Sequence, residues 1–339
     1  MKVLLDHSSP YLLAHGGYSV LIDRSFAALQ ALGVEVELMR WWDHGQRADL
    51  IHFFAPAQPS YLRQATAKGI PTVLTSLVDW PTNQPRWQWR RRRLIYEIVT
   101  RTPGLNSLRQ NVPWQVFGLC TRNVVCMRCE KQFLREALAV DPARVDVVSP
   151  GLGENFLAAG HGPRDGDHLI STATIAPRKR TVRLARAARE ARVSVLFVGR
   201  PYSKNDPYWL EFESLIDGEF VRYDGDVADD AGLIERLRHA RGFVFMSEVE
   251  SWCFAASEAV ACGLPLLLPP LLWAQERFGA EASYFPGEPA DDAPALRAFY
   301  DQCPTRPAPA VKLPSWADTG RQLLDVYARA LREAGGGQG

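Results

Sequence analysis

Nowhere does the sequence run apolar for long enough to cross a bilayer. A spanning helix needs roughly 18 or more consecutive apolar residues, and no stretch of the 339 residues supplies them. Cationic and anionic side chains nearly cancel, 39 Lys and Arg against 38 Asp and Glu, so no global charge asks for a nucleic-acid partner; only local basic clusters could. Cysteine is sparse, with Cys120, Cys126, Cys129, Cys253, Cys262 and Cys303 as the full set, and only Cys126 and Cys129 stand as a C-x-x-C pair. A structural zinc site usually needs a second ligand pair, and this pair lies in an apolar passage from strand to helix. Reduced, partly buried thiols are therefore expected, without a metal. Internal repeats are absent, and the low-complexity text is confined to the terminal Gly335-Gly-Gly-Gln-Gly339. The opening, Met1 to Asp6, is too short and too acidic for a signal peptide, which makes a cytoplasmic protein the expectation.

What remains is an ordinary globular balance, 47% hydrophobic and 23% charged, on a chain long enough for two domains. Apolar runs of strand length alternate with helical patterns. Lys2 to Asp6, Val34 to Met39, Leu50 to Phe54, Thr72 to Thr75, Asn123 to Cys126 and Val145 to Val148 read as strands, with a loop through Gly16-Gly17 and a helix over Leu21 to Leu32 between the first two. A Gly-rich, charged passage from Ser149 to Asp167 reads as a connection. A second set then follows: Leu169 to Thr172, Val193 to Val198, Glu219 to Tyr223, Gly242 to Phe245 and Leu264 to Leu268. The chain closes on an amphipathic helix over Trp316 to Glu333, behind Pro304, Pro307 and Pro309. Strands separated by helices predict parallel, doubly wound sheets.

Two stretches carry chemistry. The first is Glu250-Ser-Trp-Cys-Phe-Ala-Ala-Ser-Glu258-Ala-Val-Ala-Cys-Gly263-Leu-Pro265, which follows the buried strand at Gly242. The Ala-rich text predicts a short helix starting near Cys253 or Phe254 and stopped by Gly263 and Pro265. A strand, a polar loop and a helix N-terminus bring backbone N–H groups to the carboxyl edge of a sheet, where open α/β folds bind phosphorylated ligands. Glu258, in the first turns, suits a ribose diol, and Glu250, on the loop, suits a sugar. The plainer alternative makes both carboxylates solvated charges favoured by the helix dipole. The second stretch is Thr172-Ala-Thr174-Ile-Ala-Pro-Arg178-Lys179-Arg180, in which closely spaced cations after a strand would meet a diphosphate and stabilise it as a leaving group. A basic helix start with no ligand is the competing reading.

Ser247-x2-Glu250-Ser-Trp-Cys-Phe-x3-Glu258-Ala-Val-Ala-Cys-Gly263-Leu-Pro265 resembles the donor-site signature of the retaining glycosyltransferases of family 4. The resemblance implies an α/β chain with the GT-B fold, two Rossmann-like doubly wound domains with a cleft between them. It implies an N-terminal acceptor domain over 1–155, a C-terminal nucleotide-sugar donor domain over 156–314, and a final helix over 315–339 that crosses back to the first domain. The implied activity is transfer of a sugar from a nucleoside-diphosphate sugar to an acceptor hydroxyl with retention, in assembly of a bacterial surface glycan or glycolipid. No cofactor is implied beyond that donor substrate, and no metal, because cations take the ion's place and no Asp-x-Asp pair stands at a strand end near these motifs. By the same resemblance Lys179, Arg178 and the Thr174 region hold the diphosphate, Gly199, Gly225 and Val227 the base and its phosphates, Glu258 the ribose, and Glu250 with Trp252, Cys253 and Phe254 the sugar. Gly16 and Gly17 match the family's glycine loop, though a plain turn reads the same. His52 matches a frequent strand-end histidine, with a core histidine the preferred reading.

Three positions depart from the family pattern. Thr174 stands where the family has Arg, Val78 where many members have the His of a His-Asp pair, and Cys253 where the family has Gly. Asp79 keeps the acid of that pair and is the residue left to touch sugar or acceptor. These departures keep open a non-catalytic protein that binds a nucleotide sugar or a membrane. An epimerase or hydrolase on the same fold is the other alternative, for which a well-placed acid/base is expected and not evident.

Trp80 to Tyr96 is the most unusual surface text, with Trp87, Trp89 and the run Arg90, Arg91, Arg92, Arg93. Indoles at headgroup level beside guanidinium groups on phosphates suit an anionic membrane surface or a lipid-linked acceptor. That would place the protein at the inner face of the membrane. A solvated helix face packed through its tryptophans and a nucleic-acid contact are the other readings.

Overall fold

The structure is a computed structural model and describes residues 1–7, 16–102 and 114–335. The loop expected after the first strand, apart from its end at Gly16 and Gly17, and the tail past residue 335 lie outside these residues. The chain divides into two compact units, Met1–Gly151 with Trp316–Gly339, and Leu152–Ser315. Each is built on one six-stranded sheet, and every strand pair is parallel.

The first unit contains β1 (Lys2–His7), β2 (Glu35–Leu38), β3 (Leu50–Phe54), β4 (Thr72–Thr75), β5 (Arg122–Val125) and β6 (Val145–Val147), in the order β2-β1-β3-β4-β5-β6. β3, β4 and β5 are buried on both faces, as parallel strands covered by helices must be, and their polar members His52, Arg122 and Asn123 are held by hydrogen bonds within the unit. The first helix, Gly17–Ala31, begins four residues earlier than the pattern from Leu21 predicts, so Gly17 opens the helix and Gly16 alone closes the loop.

The last helix, Trp316–Gly335, packs on that first helix. Gly320 lies against Ala28 and Leu32, where an added Cβ would fall 2.9 Å from Leu32 Cδ1, so a small residue sets the approach. A buried polar chain then holds the helix to the sheet. Tyr327 Oη lies 2.7 Å from His52 Nδ1, and His52 Nε2 lies 2.7 Å from Thr75 Oγ1. His52 is thus a core histidine, fully buried, and burial lowers its pKa to about 3. Arg122 joins Asp146 at 2.7 Å and also bonds Glu333, tying the helix's far end to β5 and β6.

The second unit contains β7 (Leu169–Thr172), β8 (Val195–Val198), β9 (Val221–Gly225), β10 (Gly242–Val244), β11 (Leu266–Leu268) and β12 (Ser283–Tyr284), in the order β12-β11-β10-β7-β8-β9. This is the doubly wound order, with its switch point between β7 and β10. β12 has no counterpart in the sequence expectations, because a two-residue edge strand leaves no alternation to read. The core is aromatic: Phe197 and Phe212 meet edge to face at 5.1 Å, and Trp209 and Tyr223 pack beside them. All six cysteines are free and buried.

Candidate functional site

The loops leaving β7 and β10 meet at the switch point of the second sheet. After β7 the chain turns through Pro177–Lys179 and reaches Arg180 at φ +51° before the helix Thr181–Ala191. After β10 it runs through Phe245 to Cys253 into the helix Phe254–Ala261. Backbone N–H of Glu248 donates to the Arg178 carbonyl at 2.8 Å, and Ser247 Oγ donates to the same oxygen at 3.3 Å, so the loops are stitched together. Three charged residues named from the sequence converge there. Lys179 Nζ bonds Glu250 Oε1, Arg178 Nη1 lies 3.8 Å from the same oxygen, and Lys179 Nζ sits 5.1 Å from the centre of the Phe245 ring. The Lys179 and Glu250 side chains are only 11% and 12% exposed, so neither charge is solvated and each depends on the other.

Thr174 lies half-buried on the β7 loop, three residues ahead of the turn. Gly199, one residue past β8, has φ +137°, and a Cβ there would fall 2.0 Å from the Ala173 carbonyl oxygen. Only glycine fits that approach, and its N–H donates to the Gly225 carbonyl at 2.7 Å. Gly199 and Gly225 are thereby joined to the β7 loop, while Val227 lies farther along, against Gly232.

Cys253 caps the second helix at φ +56° and ψ +79°, the left-handed region that favours glycine. The family's glycine position therefore retains a glycine-like backbone, and the cysteine side chain is buried, its thiol pKa pushed upward chiefly by that burial. Arg277, absent from the sequence expectations, holds this loop: its guanidinium stacks 3.8 Å from the centre of the Trp252 ring, donates to the Trp252 carbonyl at 2.5 Å and donates to Ser257 Oγ at 2.9 Å. Its helix, Leu272–Phe278, lies beyond the motif, and no local spacing points to it. The other cap is also clear, since Gly263 follows the helix at φ +85°.

Glu258 is half-buried in the helix Phe254–Ala261, and among the described residues no hydrogen bond reaches its carboxylate. Burial first, then the nearby Asp230, raises its pKa to about 7. Two carboxylates of one motif therefore differ: Glu250 is engaged by a cation, and Glu258 is an unengaged acceptor. Among the described residues no group of His, Cys, Asp and Glu could hold a metal ion.

The remaining named residues belong to the first unit. Gly16 precedes the first helix at φ +145°, with open space where a Cβ would stand, and Gly17 is exposed beside it. Asp79 is half-buried at the start of the helix Asp79–Thr82 and accepts the Trp80 backbone N–H at 2.8 Å; Val78 beside it is buried. The basic stretch forms the helix Arg86–Arg101, and it corrects the sequence reading of one continuous patch. Trp89 is 1% exposed, donates its indole N–H to the Pro81 carbonyl at 2.9 Å and packs on Phe133, so it anchors the helix and presents nothing to a surface. Arg92 is half-buried over Trp114, and Arg93 pairs with Glu97 at 2.6 Å. Trp87, Arg90 and Arg91 stay exposed, joined by Leu94 and Ile98. Among the described residues no helix is long and apolar enough to cross a membrane.

No protein-family model matches the chain. Among curated proteins it is similar to the D-inositol 3-phosphate glycosyltransferase of Kineococcus radiotolerans, 27% identical over 259 residues, or 65% of this chain and 59% of that protein. The chain thus matches less than two thirds of that relative's length. Its fold is shared by HepE of Anabaena, solved with UDP and glucose, at TM-score 0.62 and 14% identity over 96% of this chain and 99% of that one. Sucrose-phosphate synthase of Thermosynechococcus elongatus matches at TM-score 0.63 and 15% identity over 98% and 97% of the two chains. WaaG, a glycosyltransferase of lipopolysaccharide biosynthesis, matches at TM-score 0.60 and 14% identity over the full length of both.

Proposed function

From a chain that has the GT-B fold and a sequence that resembles the family 4 glycosyltransferases, we propose a retaining, metal-independent glycosyltransferase that moves a hexosyl unit from a nucleoside-diphosphate sugar to an acceptor hydroxyl in glycan or glycolipid assembly. The observation that carries this reading is the convergence of Lys179, Arg178 and Glu250 on one side of the β7/β10 switch point, with the unengaged Glu258 carboxylate on the adjoining helix. Open α/β sheets bind nucleotides at such points.

Before a donor arrives, Lys179 and Glu250 neutralise each other. A diphosphate competes for Lys179 and Arg178, and Glu250, released, accepts hydrogen bonds from the sugar hydroxyls. Glu258 accepts from the ribose diol. As the bond from the anomeric carbon to the diphosphate oxygen breaks, charge grows on the leaving group, and the cations stabilise that charge more than they stabilise the bound donor. The acceptor oxygen forms its bond on the same face, and its proton passes to the departing phosphate. Retaining glycosidases instead set two carboxylates about 5 to 5.5 Å apart across the bond; here one of the pair is held by a cation.

The UDP and glucose bound by HepE make UDP-glucose the first donor to try. A panel of nucleotide sugars, scored by thermal shift and by release of nucleoside diphosphate, tests the reading on the wild type beside Glu258→Ala. One donor is expected to stabilise the wild type and be turned over with an acceptor. Binding without turnover against every acceptor supports a non-catalytic nucleotide-sugar protein, the reading kept open by Thr174 and Val78.

The exposed stripe of Trp87, Leu94 and Ile98, which are 59%, 58% and 51% exposed, with Arg90 and Arg91 alongside, supports peripheral contact with an anionic membrane surface. Vesicles rich in phosphatidylglycerol should co-sediment with the protein, and Trp87→Glu with Ile98→Glu should abolish that; equal sedimentation of the double variant would remove the membrane from the account.

A further inference from the structure

The first sheet has its own switch point, between β1 and β3, and a cavity of about 210 Å³ opens there. Its lining includes Asp6 at the end of β1, Phe54 and Ala55 at the end of β3, Trp41 from the segment between β2 and β3, and Tyr61 from the helix Pro59–Ala67. We propose that this cavity is a pyranose subsite, in which the Asp6 carboxylate accepts ring hydroxyls and the Trp41 and Tyr61 rings stack on an apolar sugar face.

Four observations support it. First, Asp6 is 7% exposed and has no ion-pair partner among the described residues. Burial raises its pKa, while the Trp41 indole, its first hydrogen-bonding partner, and His7 oppose that rise. The carboxylate thus stands in the cavity wall with the Trp41 indole and His7 as its partners, and a ring hydroxyl would bring it one further donor. Second, Trp41 is 69% exposed, yet it is ordered against Tyr61, with ring centres 5.4 Å apart and planes 21° from parallel, and Tyr61 is braced edge to face on Phe53 at 5.7 Å. An exposed, pre-stacked pair is an apolar platform with polar rims, which suits a ring that carries C–H faces and hydroxyl edges. Third, Ala55 has φ +77°, a conformation that costs a non-glycine residue about 1 to 2 kcal/mol. It turns the chain sharply at the strand end while its N–H still donates to the Thr75 carbonyl at 3.0 Å.

Fourth, the composition of the lining selects the ligand class. Among the described residues His7 is the one basic side chain of the lining, with neither Lys nor Arg beside it and an acid facing it, so the cavity suits a neutral ligand better than a phosphate or a nucleotide. Gln58, Ser60 and Gln64 add neutral donors and acceptors suited to hydroxyls. The volume lies below the roughly 300 to 1,000 Å³ of sites for larger ligands, which fits a single ring. As an acceptor subsite the cavity rests on the glycosyl-transfer reading; as a sugar-binding site it does not.

The test is saturation-transfer NMR on the full chain with the methyl α-glycosides of glucose, galactose, mannose and N-acetylglucosamine, and with choline as a cationic probe. At least one glycoside should receive saturation from the wild type, and Trp41→Ala should weaken its binding about tenfold. Asp6→Asn should do the same, with circular dichroism to check its fold, since Asp6 is buried. No glycoside signal from the wild type, an unchanged signal from Trp41→Ala, or a preference for choline over every glycoside would overturn the proposal. Nucleoside-diphosphate titrations run in parallel separate the two readings. Loss of glycoside binding in Trp41→Ala with nucleotide binding intact supports both sites; glycoside binding without any nucleotide binding sinks the donor site alone.

Discussion

The two sheets bring opposite chemistry to the same topological place. At the β7/β10 switch point of the second unit, Lys179, Arg178 and Glu250 meet and Glu258 stands by. At the β1/β3 switch point of the first, two stacked aromatic rings and one buried carboxylate line a cavity without Lys or Arg among its described residues. Topology marks where a ligand can enter, and side chains decide which ligand. A charged cluster suits a diphosphate; an aromatic wall with a lone acid suits a neutral ring.

The comparison breaks most visibly at Lys179. Lys179→Ala removes the cation proposed to hold the leaving group, and turnover should fall about 10²- to 10³-fold. It also leaves Glu250 buried without its main partner, which should cost about 3 to 5 kcal/mol of stability. Glu250→Gln with Lys179→Met restores neutrality and most of that stability, but not turnover, as denaturant unfolding and product release should show.

Glu258 gives the next effect. Its pKa is raised from 4.5 to about 7, so the folded chain binds more protons than the unfolded chain across that window. Its contribution to stability is therefore present at low pH and lost as pH rises toward 7, by up to about 3 kcal/mol. Glu258→Gln should be more stable than the wild type at pH 8 and should bind nucleoside diphosphate about tenfold more weakly. The rise in wild-type affinity expected as the carboxylate ionises near pH 7 should vanish in the variant.

The first unit should show the reverse slope. His52, held neutral by burial with its pKa lowered from 6.5 to about 3, contributes stability that is present above pH 6.5 and lost on acidification. Tyr327→Phe takes a partner from His52 and should cost about 2 kcal/mol. Hydrogen exchange should accelerate in β3, β4 and the last helix, not in the second unit. The smallest effect belongs to Cys253→Gly. Relief of the left-handed backbone and loss of a buried thiol oppose each other, leaving a net change under about 1 kcal/mol by thermal unfolding.

Much of this architecture was legible in the text of the chain. Leu50–Phe54, Thr72–Thr75 and Leu169–Thr172 have the same ends in the sequence reading and in the structure, because strands buried on both faces are mostly apolar or β-branched, with His52 and Ser171 as buried exceptions. The Gly263 stop followed from local chemistry, whereas Lys179 and Glu250 were expected in one pocket, on the diphosphate and on the sugar, and their pairing with each other came only from the structure. What was missed depends on tertiary neighbours. Trp87 and Trp89 read as one surface, yet two residues apart on a helix they point about 200° apart, and only the packed helix shows that Phe133 claims Trp89. Arg277 reaches Trp252 from another element, and Asp6, Trp41 and Tyr61 come from three separate ones, so no spacing in the sequence joins them.

Hydrogen exchange followed by mass spectrometry, on the wild type with and without UDP, GDP or ADP, tests the central assignment most directly. One of the three is expected to slow exchange in residues 173–180 and 247–258 while leaving 53–61 unchanged. Protection over 53–61 instead, or no protection in either segment with any of the three, would contradict a nucleotide site at the β7/β10 switch point.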